Sequence, residues 1–360
     1  MDRRSFLTKA AIGGTAAAAS TLAAPAYAQG NRTLTMVTTW GRGSAGVFES
    51  AQRVADNIAA MSDGTLTIDV KAAGELVGPF EVFDAVSSGQ ADMYHSAEYY
   101  FLGQHPAFAF FTGVPFGMTA QEFMTWYYHG GGSALHDQLS SVFSLKTFAA
   151  GNTGSQPGGW YAKEINSPED FQGLKIRMPG LGGQVVGRLG ASVQNIPGTE
   201  AYQALSSGAI EATEWIGPWA DEVAGFFEIA KYYYTAGFHE PGVALSVATN
   251  LDLFEGLSAS HQKIIEISAA ETHQWSLAQY LNNNGPALAR LVGQGVQVRE
   301  FDESIWDAFG AASAEVMESY MDDSIYADIR NSHTASMRAT SAWISTSEGA
   351  YVSQRDRVLG

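Results

Sequence analysis

The chain has 360 residues, 46% of them hydrophobic, no cysteine and a formal net charge of −17. That length exceeds one typical domain and supplies apolar residues for more than one core, while the lack of cysteine excludes disulfides, thiolate metal centres and a cysteine nucleophile. So acidic a body repels nucleic acid and anionic lipid, and an anionic small ligand must be held by local positive charge.

The first element is a leader. Arg3-Arg4-Ser5-Phe6-Leu7-Thr8-Lys9 is a twin-arginine pattern, Ala10 to Ala24 is weakly apolar, and Ala26-Tyr27-Ala28 is an A-x-A cleavage signal. Gly13, Gly14, Thr15, Ser20 and Thr21 dilute this stretch below the roughly 20 apolar residues of a membrane span. Residues 1–28 are therefore expected to direct export to the periplasm and to be cleaved after Ala28. They carry Arg3, Arg4 and Lys9 against Asp2, a net +2, so the total of −17 leaves −19 on the mature chain.

A strand is then expected over 34–38, a helix over 47–61 and a strand over 66–70, followed by EVFDAVSSGQAD at 81–92. The same order returns as a strand over 174–178, a helix over 182–189, a strand over 192–196 and EAYQALSSGAIE at 200–211. In both phrases the apolar positions fall at helical spacing, Ser-Ser-Gly stops the helix, and a short strand follows. Two βαβαβ units predict a two-lobed α/β protein whose ligand sits at the carboxyl ends of the strands.

Between the copies lie the apolar segment PAFAFFTGVPFG, an aromatic helix near 123–128, and a Gly-rich passage over 151–159 that marks the first crossing between lobes. Residues 241–249 read as a strand returning to the first lobe. The expected division is lobe I over 29–153, lobe II over 154–241, a return to lobe I over 242–285, completion of lobe II over 286–303, and a helical extension over 304–360. In that extension Trp306, Phe309, Val316, Met317, Tyr320 and Met321 make an apolar stripe at spacings of three and four, expected on one long helix over about 304–353. A helix with a spare apolar face predicts a homodimer formed by helix exchange; the alternative is a brace folded across both lobes.

TLTIDVKAAGEL at 65–76, DAVSSGQADM at 84–93, PAFAFF followed by PFG within 106–117, FQGLKIRMPG at 171–180 and EAYQALSSGAIEATEW at 200–215 carry a resemblance. Over nearly the whole mature chain they resemble the solute-binding subunit of tripartite ATP-independent periplasmic (TRAP) transporters, the DctP-type family. That resemblance implies a two-lobed periplasmic solute-binding fold, each lobe a mixed β-sheet flanked by helices, with a long C-terminal helix. It also implies a binding protein rather than an enzyme, delivering its ligand to TRAP membrane subunits. Gln156, Arg177 and the Glu214-Trp215 pair match members that bind 2-oxo or 2-hydroxy monocarboxylates, such as pyruvate, 2-oxobutyrate or lactate, through a metal ion.

The residues themselves point the same way. Arg177 ends a strand just before Pro179-Gly180, where its side chain would face the cleft, and its fork suits a planar carboxylate. The Glu214 carboxylate, the Gln156 amide oxygen and the Trp215 carbonyl offer only oxygen donors, as a hard cation requires. Arg177, a monocarboxylate, Glu214 and a monovalent cation sum to zero charge, which favours sodium; calcium needs a further carboxylate, for which Glu240 is the candidate. A metal-free site with Gln156 and Glu214 bonded to the ligand is the other possibility. Tyr100, beside Tyr99, and Asn152 are expected as donors to the ligand, with Trp40, Trp160 and Trp219 as candidate walls.

One motif supports a different class. Gly41-Arg42-Gly43-Ser44-Ala45-Gly46 matches G-x-G-x-x-G between a strand and a helix, with Asp69 placed to bind a ribose, as in an exported nucleotide-cofactor oxidoreductase. No G-x-S-x-G elbow or H-E-x-x-H accompanies it, and the eight histidines are scattered.

Overall fold

The computed structural model describes residues 31–360, so the leader expected over 1–28 lies outside the described residues. Lobe I begins with β1 (Arg32–Thr38), α1 (Val47–Met61), β2 (Leu66–Lys71), α2 (Val82–Ser87) and β3 (Met93–Ser96). Short 3-10 turns at Glu98–Phe101 and Pro106–Phe111 lead to α3 (Ala120–His129), α4 (Gly132–Ser141) and β4 (Leu145–Gly154). Lobe II holds β5 (Gly159–Tyr161), β6 (Lys175–Arg177), α5 (Gly180–Arg188), β7 (Ser192–Gln194), α6 (Gly198–Ser206), β8 (Ala212–Thr213), α7 (Pro218–Ala224) and β9 (Tyr232–Thr235). The chain then returns through β10 (Val243–Asn250), α8 (Leu251–Glu255) and α9 (Ala259–Gly293), and ends with β11 (Gln297–Glu300), α10 (Glu303–Glu318), α11 (Ser324–Ile344) and α12 (Ala350–Leu359).

The duplication is visible in the sheets. Their orders are β2-β1-β3-β10-β4 and β11-β9-β5-β8-β6-β7. β1 runs parallel to β2 and β3, as β6 does to β7 and β8, and the third strand of each unit meets an antiparallel strand delivered from the other lobe, β10 beside β3 and β5 beside β8. The acid that closes each repeated phrase does the same work twice: Asp92 accepts from the Thr35 N–H at 2.8 Å, and Glu211 from the Lys175 N–H at 3.2 Å. Each repeated helix stops on a left-handed glycine, Gly89 with φ 78° and Gly208 with φ 74°.

α9 ties the lobes together. Its 35 residues, at 1.5 Å each, span about 52 Å. Ser276 accepts from the Asn152 N–H of lobe I at 2.7 Å, and Asn284 from the Trp219 N–H of lobe II at 3.1 Å. The boundary expected between residues 285 and 286 falls within this helix. Pro286 lies inside α9, which contacts on both lobes hold through the loss of one backbone donor.

The C-terminal extension departs from expectation. It is not one helix: Asp323 accepts from the Tyr326 N–H at 2.8 Å and starts α11 afresh, because a side-chain cap in Asp322-Asp323-Ser324 outweighs the continuing apolar period. α10 packs on α5 of lobe II and α11 on α3 of lobe I. Phe309 and Val316 are buried, and Trp306, Met317, Tyr320 and Met321 are half-buried against the core, so the stripe is spent on the chain's own lobes. The exposed apolar residues lie farther along, at Trp343, Tyr351, Val358 and Leu359.

The G-x-G-x-x-G turn also has a packing explanation. Arg42 pairs with Glu75 at 2.6 Å, Asp69 is exposed beside Lys71 at 2.9 Å, and Gly46 (φ 78°) makes way for Tyr280, whose hydroxyl would lie 2.3 Å from a Cβ there.

His95, His273 and His333 are core residues, and burial lowers each from 6.5 to about 4. The folded state holds them neutral, so the unfolded chain takes up protons first as pH falls. Each contribution is full above pH 6.5 and is lost between pH 6.5 and about 4, up to about 3 kcal/mol per histidine. Urea midpoints should fall over that window, and replacing His333 by Phe should flatten the fall.

Candidate functional site

The parallel pairing of β6 with β8 sets Arg177 opposite Thr213, so Arg177 and the next residue, Glu214, emerge side by side at carboxyl strand ends. Their side chains are 1% and 0% exposed and form an ion pair between Nη1 and Oε1. Arg177 Nη1 also donates to the Glu214 carbonyl at 3.0 Å, Nε to the Ile196 carbonyl at 3.2 Å, and Nη2 to the Tyr100 hydroxyl of lobe I at 3.3 Å. Its guanidinium carbon sits 5.5 Å from the Trp215 ring centre. Burial opposes the charge on Arg177, but Glu214 and the tyrosine oxygens outweigh it, and its pKa is raised. Against the expectation of a free fork, one arm is already held by Glu214 and the other meets Tyr100.

The two crossings bring the remaining donors in. The Gln156 N–H donates to the Glu240 carbonyl at 3.0 Å, and the Gly237 N–H to the Gln156 carbonyl at 2.9 Å, so segments far apart in sequence are zipped together. Glu214, His239 and Glu240 each present an atom within 4.8 Å of the other two. Burial first, and then the Glu214 carboxylate, push the Glu240 carboxyl well above its ordinary range, against the pull of Arg177. Among the described residues, Gln156 Oε1, Glu214 Oε2 and Glu240 Oε2 are buried without a hydrogen-bond partner, as are both ring nitrogens of His239. Buried acceptors without partners are costly, and unpartnered oxygens of this kind fit a hard cation.

Beside them lies a narrow cavity of about 10 Å³ lined by Trp40, Val47, Tyr99, Tyr100, Thr153, Gln156, Trp215, Ile216, Val243 and Leu245. A larger groove on the outer edge of lobe I, around Tyr128, Lys146 and Lys263, contains none of the expected site residues; its lysines pair with Asp137 at 2.6 Å and Glu266 at 2.7 Å. The smaller cavity is the one with the chemistry.

The structure thus brings together Arg177, Gln156, Tyr100, Glu214, Trp215 and Glu240, with Tyr99 alongside. Asn152 is engaged elsewhere. Its side chain accepts from the Gly154 N–H at 2.7 Å and reaches His273 at 3.4 Å, so it braces the crossing and α9 and does not line the cavity. Trp160 and Trp219 do not line it either: Trp160 donates to Asp221 at 2.9 Å and Trp219 packs on Tyr280. His239, Thr153 and Asp221 were missed. Asp221 accepts from Trp160 Nε1 at 2.9 Å, Tyr233 Oη at 2.8 Å, and the Ile216 and Gly217 N–H groups at 3.1 and 3.0 Å, which fixes the turn carrying Glu214 and Trp215. Burial pushes its carboxyl up to about 6 against these four donors. An acid in the first turn after Pro218 was the available signal.

Two lobes hinged around a buried polar cleft define a solute-binding protein. Residues 37–323 match the model for bacterial extracellular solute-binding protein, family 7 (DctP). The chain belongs to that family, whose members are ligand receptors for transporters and not enzymes, and the oxidoreductase reading falls with it. It is 40% identical over 317 residues to a monocarboxylate 2-oxoacid-binding periplasmic protein of Nostoc sp., covering 88% of this chain and 87% of that one. Among solved structures it is similar to a TRAP periplasmic solute-binding protein of Pseudoalteromonas atlantica with bound sodium and pyruvate, and to one of Colwellia psychrerythraea with bound calcium and pyruvate. Each is 37% identical with a TM-score of 0.87, over 90% of this chain and 99% of the other. Among the described residues no helix is long and apolar enough to cross a membrane.

Asp221→Asn leaves one acceptor oxygen for four donors, so it should destabilise the fold by about 2–4 kcal/mol in urea unfolding and weaken ligand binding through the loosened turn.

Proposed function

We propose that this protein captures a short 2-oxo or 2-hydroxy monocarboxylate together with a cation and delivers it to TRAP membrane subunits. The observation that carries this reading is the set of three partnerless buried oxygens, from Gln156, Glu214 and Glu240, next to an ionised arginine. The ligand carboxylate takes donors from Arg177 and Tyr100, and its tail lies against Trp40, Val47, Val243 and Leu245. Gln156, Glu214, Glu240 and the Trp215 carbonyl hold the cation, which offsets charge and engages the acid's oxygens. Arg177 belongs to lobe II and Tyr100 to lobe I, so a carboxylate shared by them favours the closed arrangement of the lobes. Export follows the twin-arginine leader, and cleavage after Ala28 leaves a chain that starts at Gln29.

Counting Glu240 changes the charge tally. Arg177 contributes +1, while Glu214, the ligand and Glu240, once the ion displaces its proton, contribute −1 each, and a divalent ion closes the resulting −2. Calcium therefore suits both carboxylates, whereas sodium suits Glu214 alone. In calorimetry with pyruvate, affinity should drop sharply after chelation and return with calcium. Glu240→Gln should cost calcium-supported binding about tenfold or more while sparing sodium-supported binding. Pyruvate affinity indifferent to both ions in wild type and variant would sink the cation reading.

The distal helix supports a homodimer. Trp343, Tyr351, Val358 and Leu359 are 70%, 65%, 66% and 80% exposed on α11 and α12, beyond the part that braces the lobes. Truncation after Ser341 should convert a dimer into a monomer that still binds pyruvate; light scattering showing a monomeric full-length chain at high micromolar concentration contradicts this.

A further inference from the structure

His239 is 1% exposed, and neither ring nitrogen has a hydrogen-bond partner among the described residues. A neutral imidazole carries one N–H to donate and one lone pair to offer, and leaving both unmatched in the interior is costly. The ring is tightly packed: a Cβ at Gly237 would lie 2.8 Å from the His239 Cε1, and one at Gly182 would lie 2.6 Å from the His239 Cβ. Its Nε2 faces Glu214 Oε2 at 3.7 Å, and one atom each from Glu214, His239 and Glu240 lie within 4.8 Å of one another.

Two carboxylates with one fixed imidazole form a donor set different from the oxygen set of Gln156, Glu214, Glu240 and the Trp215 carbonyl. A nitrogen donor adds little for a hard ion such as calcium and much for a borderline one such as zinc. We propose that His239 is a nitrogen ligand, and that Glu214, His239 and Glu240 enable the cleft to take a borderline divalent ion of the zinc type as well as a hard cation. This rests on the cation site proposed above and extends it to a second class of ion.

The test uses metal-stripped full-length protein, titrated with zinc and with calcium by equilibrium dialysis and loaded with copper(II), a paramagnetic ion that favours imidazole as zinc does, for pulsed electron paramagnetic resonance. Zinc should bind about tenfold or more tightly than calcium, and His239→Gln should remove that margin while changing calcium affinity by less than about threefold. The copper spectrum should show coupling to a directly bound nitrogen that the variant lacks. Equal loss of both metals in the variant, or a wild-type spectrum without that coupling, overturns the proposal and leaves His239 as a neighbour of Glu214 that binds no metal. Should the variant not fold, the wild-type spectrum alone decides. Pyruvate titration of the same samples keeps the two readings apart: nitrogen coupling without pyruvate binding overturns the ligand assignment alone, and calcium-supported pyruvate binding without the coupling overturns only the role of His239.

Discussion

Arg177 carries its charge without access to water, and every element that meets at the strand ends compensates for that burial. Glu214 neutralises it, two backbone carbonyls and Tyr100 occupy its donors, and Asp221 keeps the Glu214 turn from relaxing away. The compensation overshoots. With Glu240 present the interior holds two carboxyl groups for one guanidinium, the second resisting ionisation, and an organic anion would add to the imbalance. On the proposed reading a cation and an acid complete the site as a pair, which reconciles capture of a small carboxylate with a chain of such strong overall negative charge.

The two repeats have diverged at the positions that matter. Aligning Asp92 with Glu211 puts His95 where Glu214 stands, and the strand registers put Val37 where Arg177 stands. In lobe I these positions are uncharged: His95 is locked between Trp40 Nε1 at 2.8 Å and the Ala150 carbonyl at 3.2 Å. In lobe II they carry the ion pair. One lobe supplies charge, and the other supplies phenols and apolar wall, so neither half forms the site alone.

The strands, helices and crossings were legible because each rests on a local period or stop. Arg177 and Glu214 were legible too, since a charged residue at a strand end of this topology faces the cleft. Asn152 was not. β4 slips register against β10 near Gly151, and such an irregularity disturbs the alternation from which a side chain's face is read. The break before α11 was overlooked because its apolar stripe continues in phase, although Asp323 supplied a cap. His239 stood next to Glu240 in plain view, yet its meaning depends on Glu214, which only the folded chain brings close.

The exchange of strands between lobes has a consequence for how the molecule is made. β10 occupies a central place in the first sheet, between β3 and β4, and β11 completes an edge of the second. The first sheet therefore cannot close until residue 250 has been synthesised, nor the second until residue 300. Pairings of such long sequence separation slow folding, and a chain severed at the first crossing would leave the amino-terminal fragment with a gap in its sheet. The protein has two lobes but a single folding unit, whose parts are indivisible by any cut that respects the lobe boundary.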